Sequence, residues 1–155
     1  MQITARGRYA VMAMVDLAGC SAPRGECCRS VTLAEIAGRQ DISLPYLEQI
    51  FCQLRRAGLV SAVRGRGGGY RLAREASAIA IIEVIRGVGE PIRVTRCHPG
   101  GGSCMRRPED LRNNPTGPCQ THDLWAALGR EIERFLGSVT LADVLASRLA
   151  EPAAA

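Results

Sequence analysis

From Thr4 to about Ala18, small and large apolar residues recur at helical spacing, and Thr4 stands where a helix N-cap is wanted. Cys20 to Ser30 breaks that period with Pro23, Gly25 and the Cys27-Cys28 pair and predicts a loop. Thr32-Leu33-Ala34-Glu35 has the spacing of a capping box, which predicts a short helix to about Arg39. After a break at Asp41-Ile42, Ser43 is placed to cap a third helix, with Pro45 in the first turn, where its missing N–H costs nothing. At about 100° per residue, Leu44, Leu47, Ile50, Phe51, Leu54 and Ala57 gather on one side of that helix. Pro45, Glu48, Gln49, Cys52, Gln53 and Arg56 gather on the other, and Gly58 is placed to end the helix as its C′ residue.

Two short helices joined by a tight break, the second with a polar outer face, make a helix-turn-helix pattern over about 33–57. Taken alone, the third helix is equally an amphipathic helix with a solvated face. The residues after Gly58 favour the helix-turn-helix. Leu59–Val63 has strand character, Arg64-Gly65-Arg66-Gly67-Gly68-Gly69 is a glycine tip carrying arginines, and Tyr70-Arg71-Leu72 returns. A hairpin wing at about 59–72 can lay Arg64 or Arg66 into a minor groove, where narrow A·T tracts attract guanidinium. The glycines do not form a phosphate-binding loop, because no lysine and no helix come directly after them. The expected fold is mainly α with a small β-hairpin wing: a winged helix-turn-helix domain at 2–76, then a second part at 77–149 with a long dimerisation helix.

In that second part, Ile79, Ile82, Val84 and Ile85 predict a short helix ending at Gly87 or Gly89. Residues 91–122 lack apolar periodicity and carry Pro91, Pro99, Pro108, Pro115 and Pro118; so long a loop suggests function or disorder. Then Leu124/Trp125, Leu128, Ile132, Phe135/Leu136 and Val139 recur at a spacing near 3.5, the pattern of a two-stranded helical seam, with packing against the chain's own core as the alternative. A helix at 123–137 is expected there, with Trp125, Leu128, Ile132 and Phe135 as a homodimer interface. Thr140-Leu141-Ala142-Asp143 repeats the capping logic, and 150–155 is expected to fray.

Composition narrows the class. The chain has 155 residues, 46% hydrophobic and 23% charged, which fits one ordinary domain with an appendage and excludes a wholly disordered chain. The apolar stretch Ala10–Val15 is too short to cross a bilayer, and the first residues lack a secretory pattern, so a cytoplasmic chain without a membrane partner is expected. The formal net charge is +5, and all 20 basic residues are arginine. With the sequence pI near 9.0, that excess points to a polyanion. Beside a winged helix, the polyanion is double-stranded DNA.

Seven cysteines, an odd number in a reducing compartment, argue against a disulfide framework and for metal or redox chemistry. Cys97-x6-Cys104-x14-Cys119-x2-His122 brings three thiolates and one imidazole into the 91–122 segment, a donor set suited to a soft or borderline metal. Spacing alone leaves structural zinc and an iron–sulfur cluster both open, with unrelated free thiols as a third case. Cys20 and Cys52 are expected to be small apolar packers, and Cys27 and Cys28 to face solvent.

Specific segments carry a resemblance. Ile3-Thr4-Ala5-Arg6-Gly7-Arg8-Tyr9-Ala10-Val11 resembles the start of IscR-type regulators of iron–sulfur cluster assembly. So do Ile42-Ser43-Leu44-Pro45-Tyr46-Leu47-Glu48-Gln49-Ile50-Phe51, Gly58-Leu59-Val60-Ser61 and the wing Val63–Tyr70. Cys119-Gln120-Thr121-His122-Asp123-Leu124-Trp125 is similar to the histidine-bearing end of that group's cluster loop. The resemblance runs from about Gln2 to Leu149. It implies a homodimeric transcription factor on a palindromic operator, with a 2Fe-2S cluster on Cys97, Cys104, Cys119 and His122. It favours His122 over the neighbouring His98 as the fourth ligand. It also implies DNA contacts from Ser43, Tyr46, Glu48 and Gln49, and from Arg64 on the wing; Pro45, Arg56 and Arg66 complete the candidate DNA-binding set. Two departures stand out: the Cys104-to-Cys119 interval is enlarged by 106–118, and Pro45 replaces a small polar residue. No catalytic residue or small-molecule substrate is expected. The alternatives are a sister regulator sensing nitric oxide or iron status, a winged-helix regulator with structural zinc, and an electron-transfer iron–sulfur protein.

Overall fold

The structure is a computed structural model and describes residues 4–21, 30–65, 67–90, 92 and 121–149. Cys27, Cys28, Arg66, Cys97, Cys104 and Cys119 lie outside the described residues, as does the 150–155 tail. In chain order the elements are α1 (Ala5–Ser21), α2 (Leu33–Gln40), α3 (Leu44–Arg56), β1 (Val60–Val63), β2 (Gly69–Leu72), a 3₁₀ turn (Ala76–Ala78), α4 (Ile81–Gly87), α5 (His122–Ser138) and α6 (Leu141–Leu145). The described residues of 4–90 and 135–149 belong to one compact unit, and 92 with 121–134 to another.

The capping expectations hold in most places. Thr4 Oγ1 accepts the Arg6 N–H at 3.2 Å. Thr32 Oγ1 accepts from Glu35 N–H at 3.2 Å while Glu35 Oε2 accepts the Thr32 N–H at 2.8 Å, so the capping box is complete. Thr140 and Asp143 repeat it at the start of α6. Ser43 precedes α3, but its side chain accepts no capping bond, a correction to its expected role; Pro45 in the first turn leaves one N–H fewer to satisfy. Gly58, with φ +72°, follows the Ala57 C-cap in the expected C′ place.

The core of the larger unit forms around α1, whose Ala10, Ala13, Met14, Leu17 and Ala18 are buried. Against it lie Ile36 of α2, Leu47, Ile50, Phe51 and Leu54 of α3, Val84 of α4 and Leu141 of α6. Four of the six expected apolar positions of α3 are thus core; Leu44 and Ala57, in its terminal turns, are exposed instead. Cys52 and Gln53, expected on the solvated face, flank the packed stripe and are half-buried. Cys20, expected to pack, is exposed because it lies past Ala18 at the end of α1.

Val139 corrects the apolar seam. It lies past the end of α5 and is buried at 4% exposure, and its carbonyl accepts the Ile81 N–H at 2.9 Å. Leu141 N–H in turn donates to the Ile79 carbonyl at 3.0 Å, and Ala80 bridges Thr140. The segment after α5 is therefore fastened to the start of α4, and the compact unit runs through residue 77, where the sequence places a boundary.

Candidate nucleic-acid interface

The turn between α2 and α3 is set by Asp41, held in the left-handed region at φ 52°, ψ 46°. Aspartate tolerates that region better than most residues. Its N–H and that of Ile42 both donate to the Ala37 carbonyl. Arg39 of α2 grips Asp16 of α1 with Nε and Nη2, the shortest contact being 2.7 Å, and the bidentate bond locks the two helices. With α3 pinned along its Leu47–Leu54 stripe, Ser43, Pro45, Glu48, Gln49, Arg55 and Arg56 are exposed. Tyr46 is half-buried, its ring edge-to-face with Tyr9 at 6.0 Å, so only part of it is left for a ligand.

The wing is an antiparallel pair in the register Val60 to Leu72, Ser61 to Arg71, Ala62 to Tyr70 and Val63 to Gly69. Phe51 of α3 meets Tyr70 with ring centroids 4.9 Å apart, which couples α3 to the hairpin. A third short segment, unseen in the sequence pattern, braces its far side: Tyr70 N–H donates to Val31 at 2.7 Å and Val31 N–H to Tyr70 at 2.9 Å. Ser30 Oγ donates to the Gly67 carbonyl at the tip. These contacts explain the glycine run better than turn flexibility alone. A Cβ on Gly69 would stand 2.5 Å from the Val31 oxygen, and one on Gly68 2.7 Å from the Val63 oxygen. Gly65 and Gly67 take φ of 99° and 85° to turn the tip, and Arg64 enters it exposed.

Charge is distributed unevenly among the described arginines. Arg39 is paired with Asp16, Arg74 with Glu83 and Arg134 with Glu131. Donating to the Asp16 carboxylate raises the Arg39 pKa above its ordinary value, and accepting from Arg74 lowers that of Glu83. Arg55, Arg56 and Arg64 make no ion pair with any described residue. Exposed Glu48 does not pair with Arg55 or Arg56 either. Among the described residues, α3 and the wing therefore present uncommitted guanidiniums and one uncommitted carboxylate.

At the other candidate centre, His122 is the first residue of α5, half-buried, without a hydrogen bond to any described side chain. Trp125 Nε1 donates to Thr121 Oγ1 at 3.2 Å and steadies that first turn. Among the described residues no group of three or more metal-ligating side chains occurs; the three cysteines of the set fall outside them. On α5, Leu124, Trp125, Leu128 and Phe135 are exposed at 61, 38, 41 and 45%, and Ile132 is half-buried. No described helix is long and apolar enough to cross a membrane.

Comparison with known proteins agrees with this arrangement. A model of the Rrf2 family, described as iron-dependent transcriptional regulators, matches residues 3–147. The chain is similar to the HTH-type transcriptional regulator IscR of Vibrio atlanticus, 46% identical over 145 residues, which span 94% of this chain and 75% of that protein. It is similar to IscR of Klebsiella pneumoniae, 45% identical over 94% of this chain and 80% of the relative. Among solved structures, T. potens IscR superposes with a TM-score of 0.69 at 34% identity, covering 98% of this chain and 94% of that one. CymR, the global cysteine regulator of B. subtilis, superposes with a TM-score of 0.70 at 29% identity, covering 95% and 98%.

Proposed function

The chain belongs to the Rrf2 family of transcriptional regulators, as an IscR-type member with a helix-turn-helix, and from that premise we propose a homodimeric, cytoplasmic regulator of iron–sulfur cluster assembly genes that senses cluster supply through a bound 2Fe-2S cluster. The observation that carries the DNA half is the set of unpaired arginines, Arg55, Arg56 and Arg64, on the one helix and hairpin whose packing leaves them outward. Their guanidiniums displace counterions from phosphates, which supplies affinity without sequence preference. Sequence is read by Gln49, whose amide can bond adenine bidentately, and by Glu48, which can accept from a cytosine N4 amino group. Ser43, Pro45 and Tyr46 line the approach, and Arg64 with Arg66 enters the minor groove beside it.

Cys97, Cys104, Cys119 and His122 would hold the cluster. Bound there, the group supplies a redox-labile centre whose presence or loss is the signal. His122, the first residue of α5, would contribute the one nitrogen ligand among three thiolates. Coupling to the promoter needs only the roughly 1–3 kcal/mol typical of allosteric linkage. Glu48 is the residue through which it acts: an anion facing a polyanion opposes binding unless it finds a donor.

Anaerobic purification with iron, zinc and acid-labile sulfide analysis tests the reading. A brown protein with sulfide stoichiometric to iron is expected, bleached by alanine at Cys97, Cys104 or Cys119. A colourless zinc protein would overturn it. A full cluster in Cys104→Ala would mean that the enlarged loop uses another ligand.

A further inference from the structure

The wing carries a polar pair outside the candidate DNA-binding set. Arg71 on β2 and Ser61 on β1 are cross-strand partners, and Arg71 Nε donates to Ser61 Oγ at 3.2 Å. Successive strand residues alternate faces. Tyr70 meets Phe51 and Val60 is buried, so the Val60, Tyr70 and Leu72 positions share the face turned to α3, and Ala62, nearer the tip on the same side, is exposed. Ser61 and Arg71 share the opposite, outer face. Val31 occupies the far side of β2, so Arg71 reaches across β1 towards the open edge of the hairpin.

The guanidinium is oriented rather than neutralised. Arg71 makes no ion pair with a described residue, unlike Arg39, Arg74 and Arg134. Using Nε on Ser61 leaves both terminal amino groups of the fork uncommitted, and the Ser61 hydroxyl hydrogen has no described acceptor. Neighbouring donors of this kind suit a tetrahedral oxyanion, since a planar fork binds two phosphate oxygens at once.

Its distance from the tip selects which oxyanion. The Ser61–Arg71 rung stands two residues behind the last rung, Val63–Gly69. At roughly 3.3 Å per residue that is about 7 Å. Arg64, Gly65, Gly67 and Gly68 extend beyond that last rung, so with the Arg64 side chain in the groove the rung stands behind the rim, where the oxyanion within reach of an arginine side chain is a backbone phosphate.

We propose that Ser61 and Arg71 form a phosphate clasp on the outer face of the wing, gripping the DNA backbone beside the groove that the tip enters. The clasp rests on the proposed DNA-binding function and adds to it a contact that is indifferent to sequence. Arg71 makes the contact, and Ser61 positions it.

The test measures affinity against salt concentration for the intact protein on two duplexes, one selected from a random library with the wild-type protein and one of mixed sequence. Arg71→Gln keeps the stem and removes the charge. It should weaken binding to both duplexes by a similar factor, roughly tenfold as for one charge-assisted hydrogen bond. It should also flatten the slope of log affinity against log salt by about 0.9, the contribution of one phosphate. Arg71→Lys should restore the slope without restoring full affinity. Ser61→Ala should weaken binding in the wild type and add nothing in the Arg71→Gln background. An unchanged slope in Arg71→Gln, a loss confined to the selected duplex, or a fall in thermal stability with binding intact would each overturn the clasp while leaving the DNA reading in place. Wild-type protein that shows no salt-dependent binding to either duplex would overturn both.

Discussion

Gly69 shows how little room a single residue leaves in the wing. Its absent side chain lets the backbone come against Val31, and an added Cβ would meet the Val31 oxygen at 2.5 Å and its carbon at 2.7 Å, both main-chain atoms that cannot swing aside. Gly69→Ala should therefore break the Val31–Tyr70 bridge and destabilise the protein by about 1–3 kcal/mol, read from urea unfolding midpoints. At the same scale, Gln49 and Arg64 separate by what they read. Gln49→Ala should relax discrimination at one base-pair position at a cost of roughly 1–3 kcal/mol there. Arg64→Ala should weaken binding with at most an A·T-versus-G·C change in preference. Competition with single-position operator variants distinguishes the two. If both merely flattened the salt dependence, neither would be reading bases.

At the scale of elements, α3 was legible because its burial follows a 3.6-residue period, and Leu47, Ile50, Phe51 and Leu54 fall in the core as that period requires. The hairpin was legible from a glycine run between two short apolar strands. The left-handed Asp41 and the Val31 bridge were not: each is one residue long, and a single residue has no period. The candidate cysteine–histidine set rests on spacing and resemblance alone, and its three cysteines lie outside the described residues. Caps were legible because they are local, and they can be tested locally. Thr32→Ala removes the acceptor for Glu35 N–H at the head of α2 and should cost about 1 kcal/mol. The pair between Arg74 and Glu83 of α4 gives a pH signature. Its hydrogen bond holds the Glu83 carboxyl below the ordinary range, so its stabilisation is present above the unfolded-chain pKa of Glu, about 4.3, and is lost as pH falls through the lower folded value. Both side chains are more than a third exposed, so solvent screening keeps the effect small. The stability gap between wild type and Arg74→Met should be constant near neutral pH and close below about pH 4.3.

At the scale of the whole molecule, α5 carries apolar residues that the described residues leave exposed. Leu124, Trp125, Leu128 and Phe135 are all more than a third exposed, whereas the residue that ends the expected seam, Val139, is consumed by the core. Isolated exposed leucines are ordinary, but a tryptophan, a phenylalanine and two leucines on one helix are a cluster that a partner would bury. A second copy of the chain is the occupant proposed for it, because a seam near 3.5-residue spacing packs against its own symmetry mate. A two-fold axis through that seam would set the α3 helices of the proposed dimer on inverted half-sites, so a palindromic operator is the expected outcome. Leu128→Glu combined with Ile132→Glu places like charges on both sides of the axis and should give a monomer in sedimentation equilibrium. Each monomer would still hold α3 and the wing, which belong to the other compact unit, and should keep a weak, salt-sensitive affinity for a single half-site while losing the full palindrome. A double variant that stays dimeric would place the interface elsewhere on the chain. A monomer that still prefers the full palindrome would show that the pairing arises on the DNA.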